Sequence, residues 1–229
     1  MTKLIKCISP IDGSVYAERP ALSMEAAEAV VASAKTAQKA WAKRPLSERI
    51  ELVQAGVARL GELNDVIVPE IAHMMGRPVR YGGEFGGVEE RASGMADIAV
   101  DALKPIIVEE SANFERRIER EPHGVVLVVA PWNYPYLTAI NTVSPALIAG
   151  NAVVLKPSEV TPYSGALVGE IFKEAGLPEG LLEVVLGDGE TGAALLEAEI
   201  DKVSFTGSVA TGRKVGEACG RRLIPCTLE

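Results

Sequence analysis

Apolar residues recur at three- and four-residue spacing through the first hundred positions and then gather into short unbroken runs. That change of period separates a helical part from an alternating α/β part. Residues 23–44 (SMEAAEAVVASAKTAQKAWAKR) are rich in Ala, with Ser23 placed to cap a helix. Residues 47–63 repeat the arrangement, with Ile50, Val53, Val57 and Leu60 on one stripe. A third helix is predicted over 65–75, ending at Gly76-Arg77-Pro78, and a fourth over 84–103, after Tyr81-Gly82-Gly83. Residues 1–104 therefore read as mostly helical.

Between 105 and 121 the text changes to short β-prone pieces interleaved with charges (IIVEESANFERRIER), which predicts an exposed connector or an oligomerisation hairpin. Residues 122–229 then alternate regularly. Strands VVLVVA, AVVLK, LLEVVL, KVSFT and RLIPCTLE are separated by helices at 136–149, 163–175, 191–198 and 209–219. Apolar runs of this kind, without strict alternation, suit strands buried on both faces. The expectation is an α/β fold with a doubly wound parallel sheet. No internal repeat or low-complexity linker interrupts the chain, so the helical part is expected to pack on the sheet within a single domain, 1–229.

Composition narrows the function. The chain has 229 residues, 48% of them apolar, and a formal net charge of −8. An acidic balance argues against nucleic acid as a partner, because phosphate binding needs clustered Lys and Arg. Cys7, Cys219 and Cys226 form no CxxC or Cys/His spacing, so no metal site is expected and a reducing, cytoplasmic location fits. The start, MTKLIKCISP, leads into polar residues rather than a long apolar run, which predicts neither a secretory signal nor a membrane anchor.

The candidate chemistry lies in turns after predicted strands. In an open α/β sheet the carboxyl ends of neighbouring strands share one edge, so polar groups placed there converge on a crevice. Ala130-Pro131-Trp132-Asn133-Tyr134-Pro135 follows the first strand of the α/β part. Asn133 is either a helix cap or an amide donor for an oxyanion developing on a carbonyl substrate, and local sequence does not separate the two. Lys156-Pro157-Ser158-Glu159 puts a cation and a carboxylate beside a turn, as a solvated ion pair or as partners for ribose hydroxyls. A carboxylate there repels a 2′-phosphate, which favours NAD over NADP. Phe205-Thr206-Gly207-Ser208 opens the stretch GSVATG, ending at Gly212, as a capped tight turn or a phosphate-binding helix start.

Gly187-Asp188-Gly189-Glu190-Thr191-Gly192 matches GxGxxG, yet it follows a later strand of the unit, lacks the acidic residue expected about 20 positions on, and carries two acids of its own. It reads as a turn near an adenine rather than as the dinucleotide fingerprint.

In order and spacing, PWN, KPSE, GxG, FTGS and the terminal TLE resemble the cofactor-binding portion of the NAD(P)-dependent aldehyde dehydrogenase superfamily. The match is tight over 121–229, and the helical first part, with its Arg120-Glu121-Pro122 connector, is similar to that family's amino-terminal region. The resemblance implies a Rossmann-like sheet of aldehyde dehydrogenase type, here without the catalytic domain. It implies that Asn133 supplies an oxyanion-hole amide and that Glu229 is the general base that activates water. Ala130, Pro131 and Trp132 would line the cofactor, and Lys156, Ser158 and Glu159 would hold the adenosine ribose. Gly187, Gly189 and Gly192 would lie near the adenine, Phe205 and Thr206 in the cofactor cleft, and Gly207 and Ser208, with Gly212, at the pyrophosphate.

By the same resemblance the reaction is NAD-linked oxidation of an aldehyde to a carboxylic acid through a thioester on a cysteine, with NADP also admissible if Glu159 turns away. None of the three cysteines stands at the nucleophile's position, and each reads as a packing residue. The chain is therefore expected to be an amino-terminal part of such an enzyme, inactive alone, whose full-length parent is a homo-oligomer. The competing expectation is a non-catalytic nucleotide-binding or interaction module of the same fold.

Overall fold

The computed structural model describes residues 3–229. Helices α1 (Met24–Trp41), α2 (Leu46–Glu62), α3 (Asn64–Met75) and α4 (Phe85–Ala102) occupy the first part of the chain. Each has a local cause. Ser23 Oγ accepts from Ala26 N at 3.2 Å to start α1, and Gly76 ends α3 in the left-handed region at φ 80°, where a side chain would be strained.

Two elements here depart from the helical expectation. β1 (Leu4–Ile8) and β2 (Val15–Pro20) pair antiparallel ahead of α1. Their signal was present: Ile5 and Cys7 alternate with exposed neighbours, and the connection holds Asp12-Gly13, with Asp12 Oδ1 accepting from Ser14 N at 3.0 Å. The short strands β3 (Ile106–Glu110) and β4 (Glu115–Ile118) pair antiparallel, and every residue in them is exposed.

The remainder comprises β5 (Val125–Val129), α5 (Leu137–Ile148), β6 (Ala152–Lys156), α6 (Pro162–Glu174), β7 (Leu182–Val184), α7 (Gly189–Glu197), β8 (Lys202–Phe205), α8 (Val209–Arg222) and β9 (Cys226–Leu228). The five strands form one parallel sheet in the order β7-β6-β5-β8-β9. The chain winds outward from β5 through β6 to β7, then returns to the other side of β5 with β8 and β9. Right-handed crossovers place helices on both faces when the direction reverses, which is the doubly wound arrangement. The reversal falls between β5 and β8, so the ligand crevice is expected at their carboxyl ends.

Val125 to Val128 and Ala152 to Leu155 are essentially inaccessible, which explains why these strands read as unbroken apolar runs. One continuous buried cluster joins Val31, Trp41, Val57, Ile71 and Val88 of the helical part to the sheet. The helices also complete the carboxyl end of α5. Trp41 Nε1 donates to Leu147 O at 2.8 Å, Arg49 Nε to Ile148 O at 2.9 Å and Gln38 Nε2 to Gly150 O at 3.0 Å. The last carbonyls of a helix lack i+4 donors, and here the amino-terminal helices add donors to them beside the Gly150 N–H on Leu147 O. Among the described residues no helix is long and apolar enough to cross a membrane, and no cluster of side chains could hold a metal ion.

Candidate functional site

A cleft of about 560 Å³ opens at the carboxyl ends of β5, β6 and β8. It is bounded by Ala130, Pro131, Trp132 and Asn133 after β5, by Lys156, Ser158 and Glu159 after β6, by Phe205, Thr206, Gly207 and Ser208 after β8, and by Gly189 and Glu229. Sequence reasoning missed Val129 and Thr211, which also line it. Thr211 lies one helical turn past Ser208, a position that the motif spacing already marked.

The Pro131–Pro135 turn does not cap the following helix. Helix α5 begins at Leu137, and its first free amides, Tyr136 N and Leu137 N, donate to Glu84 Oε2 at 3.0 and 2.7 Å. Asn133 is therefore not needed as a cap, and it stands exposed at the cleft beside Trp132, which is 49% exposed. Its side-chain amide therefore has no capping role at α5.

Lys156 is the last residue of β6 and is only 5% exposed. Its ammonium pairs with Glu159 Oε2 at 3.2 Å, while that carboxylate is half in solvent. A solvated pair would expose both partners. A buried ammonium with three donors and one visible partner has bonds to give to further acceptors. Ser158 shapes the turn, its Oγ accepting from Val160 N at 3.2 Å.

Ser208 does cap α8, accepting from Thr211 N at 3.3 Å, so the reading of a capped turn holds for this segment. Capping by Ser208 leaves other first-turn amides of α8 without intrahelical partners, and Ser208 and Thr211 of that turn line the cleft. Beneath the turn, the Phe205 ring lies 2.7 Å from where a Cβ on Gly207 would stand, and 3.3 Å from one on Gly212. Small residues are required there because Phe205 fills the space. The same strand positions Glu229: its N–H donates to Phe205 O and its carbonyl accepts from Gly207 N, both at 3.0 Å.

Gly187, Gly192 and Gly212 are not brought into the cleft. Gly187 packs against Thr191, whose Oγ1 would sit 2.1 Å from an added Cβ, and Gly192 lies in the first turn of α7 with its N–H on Asp188 O. Asp188 caps α7 and, together with Glu190, pairs with Lys3, so this turn spends its polar groups locally. Gly212 borders an adjoining groove between α8 and β9.

None of the cysteines reaches the cleft. Cys7 and Cys219 are buried, burial raises both thiols, and Cys219 is pushed up to about 11, with Cys226 beside it adding to the effect. Thiols held protonated in this way are poor nucleophiles. Cys226 corrects the expectation of packing, since β9 is an edge strand and leaves it exposed.

A protein-family model described as the aldehyde dehydrogenase family matches residues 1–229. The chain belongs to the aldehyde dehydrogenase family. Among curated proteins of the family, it is 37% identical over 228 residues to benzaldehyde dehydrogenase (NAD+) of Pseudomonas putida, a match covering 97% of this chain and 46% of the relative. Among solved aldehyde dehydrogenase structures, the NADP-dependent glyceraldehyde-3-phosphate dehydrogenase of Bacillus halodurans, complexed with NADP, superimposes with a TM-score of 0.92 at 34% identity, over 99% of this chain and 49% of that one. An NAD-dependent benzaldehyde dehydrogenase of Corynebacterium glutamicum gives 0.89 at 32% identity, over 100% and 51%. The chain thus spans about half the length of the family members it matches.

Proposed function

We propose that this chain is the NAD-binding portion, residues 1–229, of an enzyme that oxidises an aldehyde to a carboxylic acid. The observation that carries this reading is the convergence, in one cleft at the sheet's switch point, of an amide donor, a carboxylate, a buried ammonium and a helix amino terminus. Lys156 and Glu159 hold the ribose hydroxyls, the first turn of α8 behind Thr206, Gly207 and Ser208 receives the pyrophosphate, and Ala130, Pro131, Trp132 and Phe205 line the cofactor. Bound there, NAD supplies the acceptor for the aldehyde hydride. Asn133 donates to the substrate oxygen as negative charge builds on it, and Glu229 takes a proton from the water that releases the acid. The relatives named for NAD and NADP support a nicotinamide nucleotide, and Glu159 beside the ribose supports NAD.

Titration calorimetry with NAD and NADP tests the cofactor assignment. NAD is expected to bind more tightly, and Glu159→Gln to narrow the preference by about tenfold, the worth of one charge-assisted hydrogen bond. Equal affinities in the unsubstituted chain sink the choice of NAD, and no affinity for either nucleotide sinks the site.

The chemistry also needs a thiolate nucleophile, which none of Cys7, Cys219 and Cys226 presents to the cleft. We therefore read the 229-residue chain as inactive by itself. Aldehyde-dependent NADH formation by the isolated chain, followed by its absorbance, overturns this. The same observation keeps in view a nucleotide-binding module without catalysis, for which NAD affinity would persist while Asn133 and Glu229 have no kinetic effect in any longer form. The exposed β3–β4 ribbon is assigned to subunit contact in a homo-oligomer, and the sparse unpaired cysteines to a cytosolic protein.

A further inference from the structure

We propose that Arg77 and Glu84 are positioning residues for the Asn133 turn, clamping it from the amino-terminal helices so that its amide is held ready before substrate arrives. The proposal rests on the reading of Asn133 as oxyanion donor and extends it to residues that line no part of the cleft. Both belong to the short segment between α3 and α4. Its course is set by the left-handed Gly76, by Pro78 and by the 3-10 turn at Val79–Tyr81.

The contacts form a closed set. Arg77 Nη1 donates to Glu84 Oε1 at 2.8 Å, and Arg77 Nη2 donates to the main-chain carbonyl of Asn133 at 2.6 Å. The Arg77 guanidinium also lies over the Tyr134 ring at 4.6 Å. Glu84 turns its second oxygen to Tyr136 N and Leu137 N. The turn is thus gripped at Asn133, at Tyr134 and at the head of α5, while the Asn133 side chain itself is left free.

The environment makes these bonds strong and mutually dependent. The Glu84 side chain is 1% exposed and that of Arg77 12%. Burial pushes the Glu84 carboxyl above the usual range, opposed by the Leu137 amide and the Arg77 guanidinium, which favour its charge. Removing Arg77 would abolish the bond to Asn133 O and, by stripping that support from Glu84, weaken both amide bonds. Three of the pair's bonds leave the α3–α4 segment, one to Asn133 O within the turn and two to the head of α5 directly after it. Oxyanion donors act through preorganisation, and displacement by about 1 Å can cost on the order of 100-fold in rate.

The test uses the full-length enzyme that contains this chain, with Arg77→Met, Arg77→Lys, Glu84→Gln, Asn133→Ala and the double variant R77M/N133A. Hydrogen exchange at the Tyr136 and Leu137 amides is expected to quicken roughly tenfold in R77M and E84Q, with β6 amides unchanged. The kcat of R77M should fall by about 10- to 100-fold with KM for NAD nearly constant, and R77K should recover much of it. Because Asn133→Ala keeps the carbonyl that Arg77 grips but removes the amide, the double variant should be no slower than N133A alone. Unchanged exchange, or losses that multiply in the double variant, overturns the proposal. If N133A alone leaves kcat intact, the oxyanion reading is what fails, and the exchange rates still decide the clamp.

Discussion

Replacing Asn133 by alanine in the full-length enzyme is expected to lower kcat by roughly 10²- to 10³-fold while leaving NAD affinity almost unchanged. The size follows from where the donor acts. An amide aimed at an oxygen that gains charge during reaction contributes more to the transition state than to the bound substrate, so its loss appears in kcat rather than in KM. Asn133 is suited to this because it is exposed at the cleft and Glu84, not Asn133, accepts the first amides of α5. Removing the amide therefore costs little folding energy, and the rate effect can be read without a collapse of stability. Steady-state kinetics with calorimetric NAD binding separates the outcomes. A raised KM with kcat intact would assign Asn133 to ground-state binding and end the oxyanion reading.

Trp41→Ala should destabilise the chain by about 3–5 kcal/mol, measured as a shift in equilibrium urea unfolding. Trp41 is among the largest fully buried side chains, it joins the cluster shared by the helices and the sheet, and its indole N–H satisfies Leu147 O at the end of α5. Truncation leaves a large cavity and removes one of the donors to Leu147 O, which keeps Gly150 N at 2.9 Å, so the cavity dominates the loss. Val66→Ala, at a position 54% exposed on α3, serves as the control and should change stability by less than about 0.5 kcal/mol. A loss below about 1 kcal/mol for Trp41→Ala would mean that the helical part and the sheet unfold as separate units.

Much of this molecule was legible in its sequence because the signals are local. Helix starts and stops at Ser23 and Gly76 depend on near neighbours, and the unbroken apolar runs of β5 and β6 follow from burial on both faces. The strand-end turns could be located for the same reason, since each follows a readable strand. The β1–β2 hairpin escaped although Asp12-Gly13 marked it, because two short half-polar strands carry a weak pattern. The GxGxxG match reads from sequence as a turn near an adenine, and its three glycines part company in the fold. Only Gly189 reaches the cleft, because Gly187 is spent on Thr191 and Gly192 on the first turn of α7.

What the sequence determined by itself is the order of elements from α1 onward, the parallel α/β architecture and the chemical types available at each strand end, all properties of short range. Tertiary structure alone decided the burial and the partners of each polar group. Asn133 is released from capping by a carboxylate 49 positions earlier, Lys156 is buried rather than solvated, and both ends of α5 receive bonds from side chains of the amino-terminal part. Such partners are remote in sequence, and a polar side chain carries no local mark of the donor or acceptor that folding will place against it.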